Sequence, residues 1–167
     1  YVVVRRVFQN LRSNDVIATG NASACILPFQ IGNLEHGQRL FSNSGSASMG
    51  HDLPAALGAA SAAQVDGNRR VICFAGDGSI QMNIQELQTL KTNDLNLIIL
   101  IINNSGYLSI WQTHENFFGR VVGATPASGV EFPDFIKVAL SYGIEAYTIS
   151  TVDDLYKLDE LLRPNGP

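Results

Sequence analysis

The chain has 167 residues, 46% of them hydrophobic and 16% charged, which suits one globular domain with a real core and excludes a disordered tail. Its net charge of -4 supplies no basic field, so nucleic acid is not an expected partner. The longest apolar run, Leu97 to Ile102, is far too short to cross a membrane, and with no visible signal peptide the expected location is cytoplasmic. Cys25 and Cys73 lie in apolar surroundings without metal-type spacing, and read as buried free thiols of a reducing compartment. The chain starts at Tyr1 rather than Met and ends Arg163-Pro164-Asn165-Gly166-Pro167. Those ends suggest that residues 1–167 are a single domain excised from a longer multidomain polypeptide.

Val3, Val4, Val7, Phe8 and Leu11 sit at helical spacing and predict an opening amphipathic helix. Val16 to Thr19 reads as a strand ending at Gly20-Asn21, followed by a helix or turn from Cys25 to Phe29 and a weaker strand over Arg39 to Ser42. Ser44 to Gly50 is a loop of small residues that leads into an Ala-rich helix with Pro54 in its first turn. Arg70 to Ala75 is a buried strand, Ile80, Ile84, Leu87 and Leu90 mark one helix face, and Leu95 to Ile102 is the next strand. From Ser105 to Glu131 the pattern has little periodicity and predicts a long irregular loop, a kind of segment that is commonly functional. A helix over Phe135 to Tyr142, a strand over Ile144 to Ile149 and a helix over Val152 to Leu162 complete the chain. Strands alternating with helices imply an α/β fold, a doubly wound parallel sheet flanked by helices.

The chemistry concentrates in Gly76-Asp77-Gly78 and Asn103-Asn104, with residues 79–102, 24 in all, between them. That spacing holds one helix and one strand of a parallel βαβ unit. It would bring Asp77 and Asn104 together at the carboxyl edge of neighbouring strands, where open α/β sheets bind ligands. An Asp77 carboxylate, an Asn104 amide oxygen and the Gly106 carbonyl suit a hard cation such as Mg²⁺, whose other ligands are diphosphate oxygens. Gly76 allows a sharp turn off the strand and Gly78 a close backbone approach, while Ser79 and the first amides of the following helix would face the anion. Taken singly, the two pieces also fit a helix N-terminal aspartate and a plain turn. A Rossmann or Walker nucleotide site is not expected, because neither glycine pattern occurs.

Met49-Gly50-His51-Asp52-Leu53-Pro54-Ala55-Ala56 and Gly76-Asp77-Gly78-Ser79-Ile80-Gln81-Met82-Asn83-Ile84-Gln85-Glu86-Leu87, with Asn103-Asn104, carry a narrower likeness. From about Tyr1 to Ile149 the chain resembles the carboxyl-terminal, diphosphate-binding domain of acetolactate synthase-like enzymes that depend on thiamine diphosphate. The resemblance implies thiamine diphosphate and Mg²⁺ as cofactors. It makes Met49 an apolar wedge that bends the cofactor, with the Met49 amide and Ala47 carbonyl on the aminopyrimidine edge. Gly20, Asn21 and Ser23 fall where the family meets the terminal phosphate, although Asn21 and Ser23 are shorter than the Gln and His often found there. Asn21 and Ser23 also suit helix capping.

The same resemblance implies decarboxylation of a 2-oxo acid such as pyruvate and ligation to a second 2-oxo acid, within branched-chain amino acid biosynthesis. A 2-oxo acid decarboxylase, with the cofactor domains on one or on separate chains, and a non-catalytic Mg-diphosphate module are the alternatives. No catalytic residue is expected within these residues. The activating glutamate would come from a pyrimidine-binding domain of the same or another subunit in a homo-oligomer, and Glu86 lies on the diphosphate side. Without that domain, these residues are expected to bind metal-diphosphate weakly and catalyse little. His36, His51 and His114 read as loop or locally hydrogen-bonded histidines, and Asp52 as a helix cap. Trp111, Tyr107, Phe117 and Phe118 fit either a pocket wall or loop packing. The family tryptophan would fall nearer His114 or Glu115 than Trp111.

Overall fold

The computed structural model describes residues 1–67 and 69–163; the predicted tail over 164–167 lies outside the described residues. Among the described residues, β1 (Val16–Thr19), β2 (Arg39–Ser42), β3 (Val71–Gly76) and β4 (Leu97–Ile102) form one sheet in the order β2-β1-β3-β4. All three pairings are parallel, with Val16 opposite Arg39 and Val71, and Val71 opposite Leu97. The helices are α1 (Val2–Gln9), α2 (Ser23–Ile31), α3 (Asp52–Val65), α4 (Asp77–Ile80), α5 (Leu87–Thr92), α6 (Leu108–Phe118), α7 (Phe135–Ser141) and α8 (Leu155–Leu162).

Strand alternation sends successive side chains into two cores. Val16, Ala18, Val71, Cys73 and Ala75 pack with Leu53, Ala56, Leu57, Ala60 and Ala63 of α3, and with Leu87 and Leu90 of α5. Ile17, Ile72 and Phe74 point to the opposite face and pack with Val4 and Val7 of α1, Ala24 of α2, and Leu158 and Leu162 of α8. Each fully buried large aliphatic or aromatic side chain contributes about 1.5–3 kcal/mol of transfer free energy. The Ala-rich stretch of α3 lets that helix lie close to the sheet, which is why it needs no large side chains in its middle turns.

The amino edge of the sheet is closed by charge. Arg70 and Asp15, which directly precede β3 and β1, form an ion pair whose side chains are 3% and 2% exposed. Arg70 also donates to the Leu162 carbonyl at 2.7 Å and the Asn10 carbonyl at 3.1 Å, tying both chain-terminal helices to the strand starts. At the carboxyl edge β3 runs two residues past β1: Thr19 pairs with Phe74, whereas Gly76 pairs with Ile102. The ends of β3 and β4 therefore stand proud, and they carry Asp77 and Asn104.

Three predicted segments differ. Residues 144–149 form no strand. The Ile144 amide donates to the Ala139 carbonyl at the end of α7, and the Thr148 carbonyl accepts from Lys157 Nζ, so these backbone groups are committed outside the sheet. Ile144 and Ile149 still pack against the two opposite cores. The stretch 105–131 is not irregular throughout, because α6 occupies 108–118 and ends at Gly119, whose φ of +59° suits glycine. None of the α6 side chains is buried, which explains why no apolar period announced it. The helix face from Ile80 to Leu90 is broken in the middle, where a 3₁₀ segment over Gln81–Glu86 is interrupted at Asn83.

Candidate functional site

A cleft lies at the carboxyl edge, between the ends of β1, β3 and β4, and is open to solvent on one side. Asn21 and Ser23 reach it from the β1 end, Met49 from the loop before α3, and Gly76 to Ser79 from the β3 end. Asn104, Gly106 and Tyr107 line it from the β4 end. This is the crevice beyond the strand ends where doubly wound sheets receive ligands.

Asp77 organises the cleft. It is 4% exposed, and its carboxylate accepts only from backbone amides among its resolved hydrogen bonds. Oδ1 takes the Gly78 N–H at 2.8 Å, and Oδ2 takes those of Asn104 at 2.7 Å and Gly106 at 3.2 Å. One side chain therefore joins the turn after β3 to the turn after β4. Asn103 shapes the second turn, its Oδ1 accepting from the Ser105 amide at 2.9 Å, while the exposed Asn104 side chain is left to face the cleft.

Two glycines have no room for a side chain. A Cβ on Gly78 would stand 2.1 Å from the Tyr107 ring, which packs edge-on against Phe132 at 5.4 Å. A Cβ on Gly106 would meet the Ala124 carbonyl oxygen at 2.2 Å. Ser79 is 2% exposed, and its Oγ accepts the Gly50 amide at 2.8 Å. Asp52 lies behind it, fully buried, with Oδ1 accepting only from the adjacent Leu53 amide and Oδ2 lacking a well-formed hydrogen bond. Burial pushes the Asp52 carboxyl above its ordinary range, against a smaller opposing pull from the nearby Ser79 hydroxyl.

A family model for the thiamine pyrophosphate enzyme C-terminal TPP-binding domain matches residues 19–167. The chain belongs to this family. The TPP-binding domain is also 39% identical to the acetolactate synthase large subunit of Cyanidium caldarium, over 80% of this chain and 22% of that protein. It is 30% identical to the acetolactate synthase isozyme 1 large subunit of Escherichia coli (strain K12), over 100% of this chain and 29% of that protein. The isozyme 2 large subunit of the same organism is 35% identical over 78% of this chain and 23% of its own length. The chain thus spans less than a third of each of these relatives.

Within this TPP-binding domain, the cleft gathers most of the residues singled out in the sequence: Asn21, Ser23, Met49, Gly76, Asp77, Gly78, Ser79, Asn104 and Gly106. Gly20 and Ala47 do not line it. Gly20 is buried behind the cleft, donating to the Phe74 carbonyl at 2.9 Å, and a Cβ there would meet Asp52 Oδ2 at 2.6 Å. Ala47 is exposed in a turn, with φ +49° and its amide on the Asn43 carbonyl. Ser79 spends its oxygen on Gly50, a partner the sequence did not suggest.

Asp52 is not the expected helix cap. No side-chain capping bond is made at the start of α3, and the carboxylate turns inward. Neither Asn21 nor Ser23 caps α2, which also begins without a side-chain capping bond. His114 accepts from the Val122 amide at 3.3 Å and packs edge-on against Phe118, a local role. Trp111, Phe117 and Phe118 lie on α6 outside the cleft lining, whereas Tyr107 does line it. Phe132, which packs on Tyr107, is not singled out in the sequence, and Asn83 is part of the motif without its contact to Gly50 being foreseen.

Proposed function

We propose that the cleft holds Mg²⁺ and the diphosphate of thiamine diphosphate, and that the full protein is an acetolactate synthase-like carboligase. The observation that carries the reading is Asp77. It is a buried carboxylate held by three backbone amides, and among the described residues no ion pair reaches it. With no cationic side chain paired to it, this buried carboxylate can take a metal cation in addition to its three amides. Among the described residues no cluster of three or more His, Cys, Asp or Glu could hold a metal. A set of one carboxylate, one amide oxygen and one backbone carbonyl suits Mg²⁺, which keeps few protein ligands when phosphate oxygens supply the others.

In this reading Asp77, the Asn104 side-chain oxygen and the Gly106 carbonyl hold the ion. Gly76, Gly78 and Ser79 form the floor under the diphosphate, and Asn21 and Ser23, with Gly20 behind them, meet its far end. Met49 fills the space beneath the ring system, a task its flexible thioether suits, and the Met49 amide with the Ala47 carbonyl would meet the aminopyrimidine edge. When bound, thiamine diphosphate supplies a carbanion equivalent that adds to the carbonyl of a 2-oxo acid and stabilises the electrons released with carbon dioxide. The residues of this chain bind and orient; they provide no acid or base for that chemistry. A glutamate on a pyrimidine-binding domain, of the same or another subunit in a homo-oligomer, completes the site.

Residues 1–167 act here as one diphosphate- and Mg-binding unit of a longer cytoplasmic protein. Among the described residues no helix is long and apolar enough to cross a membrane. The likeness to acetolactate synthase large subunits favours a second 2-oxo acid as acceptor over simple protonation. Product analysis of the full-length protein with pyruvate, thiamine diphosphate and Mg²⁺ tests this. Acetolactate is expected; acetaldehyde alone makes it a decarboxylase, and no cofactor-dependent turnover makes the cleft a binding module.

A further inference from the structure

The turn that carries Met49 is gripped from the turn that carries Asp77. Gly50 donates its N–H to Ser79 Oγ at 2.8 Å and accepts at its carbonyl from Asn83 Nδ2 at 2.6 Å. Both polar groups of one peptide residue are thus satisfied by two side chains of a single segment, four residues apart. The geometry leaves no slack. Gly50 has φ +77°, and a Cβ there would stand 2.8 Å from Asn83 Nδ2 and 2.9 Å from Met82 Cβ. Asn83 itself departs from helical geometry, with φ -137° and ψ 30°, and this break in the 3₁₀ segment accompanies the contact of its amide with Gly50. On the other side, the Asp52 carboxylate lies next to the Ser79 hydroxyl. The Ser79 hydroxyl hydrogen is free to turn toward Asp52 while its Oγ accepts from the Gly50 amide.

We propose that Ser79 and Asn83 are positioning residues: they clamp the Gly50 backbone and so fix Met49 in the cleft, making the diphosphate loop set the place of the ring end of the cofactor. The proposal rests on the reading of the cleft as a thiamine diphosphate site, and it assigns the Ser79 hydroxyl to the protein rather than to phosphate. It also links the two ends of the ligand mechanically, since Ser79 is two residues from Asp77 and Gly50 follows Met49 directly.

The test compares two ligands on the full-length protein by calorimetry with Mg²⁺ present: thiamine diphosphate, which has rings, and inorganic pyrophosphate, which has none. Loss of one neutral hydrogen bond predicts that Asn83→Ala weakens thiamine diphosphate about five- to tenfold and leaves pyrophosphate within about twofold. Asn83→Asp keeps the side-chain shape but turns an acceptor toward the Gly50 carbonyl, and it should behave like Asn83→Ala. Asn83 is half-exposed, so its variants are expected to fold, and an unchanged melting temperature checks this. Equal weakening of both ligands would place this side chain on the diphosphate and overturn the clamp, as would no change in either. If the unmutated protein binds neither ligand, the cofactor reading of the cleft fails, and the clamp with it.

Discussion

At the amino edge of the sheet Asp15 faces Arg70 inside the fold, whereas at the carboxyl edge Asp77 and Asp52 are buried with amides and a hydroxyl around them. The first carboxylate is neutralised within the chain and joins both terminal helices to the strand starts. The other two have no ion-pair partner among the described residues: Asp77 is held by three amides, and Asp52 by the Leu53 amide. Buried charge is tolerated when it is paired or when a ligand completes it. The amino edge thus serves stability, whereas the carboxyl edge, in the proposed reading, keeps its carboxylates for a ligand.

Mutations can break this contrast. Arg70→Ala should be the most damaging, because it strands Asp15 in the interior; about 3–5 kcal/mol of unfolding free energy should be lost in denaturant titrations. Its effect on Mg-diphosphate affinity in molecules that remain folded should be slight. Asp77→Ala should weaken Mg-supported thiamine diphosphate binding by about 100-fold or more, while the melting temperature of the ligand-free protein falls less than in Arg70→Ala, because three amides lose their acceptor but no buried charge is stranded. Should Asp77→Ala unfold the protein instead, the carboxylate belongs to the fold and the contrast is wrong. Gly78→Ala drives a methyl group into the Tyr107 ring, and a cost of about 1–3 kcal/mol is expected, measured by thermal unfolding. Part of that cost should be recovered when Tyr107 is also truncated, since the clash is with a side chain.

Asp52→Asn is the mildest change and sharpens the contrast through pH. Burial raises the folded-state pKa of Asp52 above its ordinary value of 3.8, so the folded protein holds the proton more tightly than the unfolded chain. Stability from this group is then fully present below the unfolded value and is lost as pH rises through the folded one. The neutral Asn variant should melt higher than the parent at neutral pH, and the difference should vanish in acid near and below 3.8. A variant that melts lower at neutral pH would show that the carboxylate is stabilising where it lies.

Much of this was legible in the chain. Val16–Thr19 and Arg39–Ser42 match their predicted bounds, and the Asp77 and Asn104 turns meet as their spacing required. Runs of apolar residues and glycines beside polar ones are local signals, and a parallel sheet turns them into position. What the chain concealed was decided by partners far away in sequence. Ile144 to Ile149 has the composition of a strand, yet the Ile144 amide goes to the Ala139 carbonyl and the Thr148 carbonyl to Lys157 Nζ. Helix α6 shows no period because it buries nothing among the described residues. Asp52 reads as a cap at the start of a helix, and only the fold shows it turned toward Ser79 and the back of Gly20. Asn83 stands in the motif that carries the resemblance, but only the fold shows its amide on Gly50.

The central claim is that Asp77 and Asn104 share one cation that holds a diphosphate. Mn²⁺ scatters anomalously where Mg²⁺ does not, so crystals of the full-length protein grown with Mn²⁺ and thiamine diphosphate report the ion directly. The account predicts an anomalous peak about 2.0–2.3 Å from an Asp77 carboxylate oxygen and the Asn104 side-chain oxygen, with the remaining ligands from the Gly106 carbonyl, phosphate and water. A peak elsewhere, or a diphosphate bound in this cleft with no ion between it and Asp77, would contradict it.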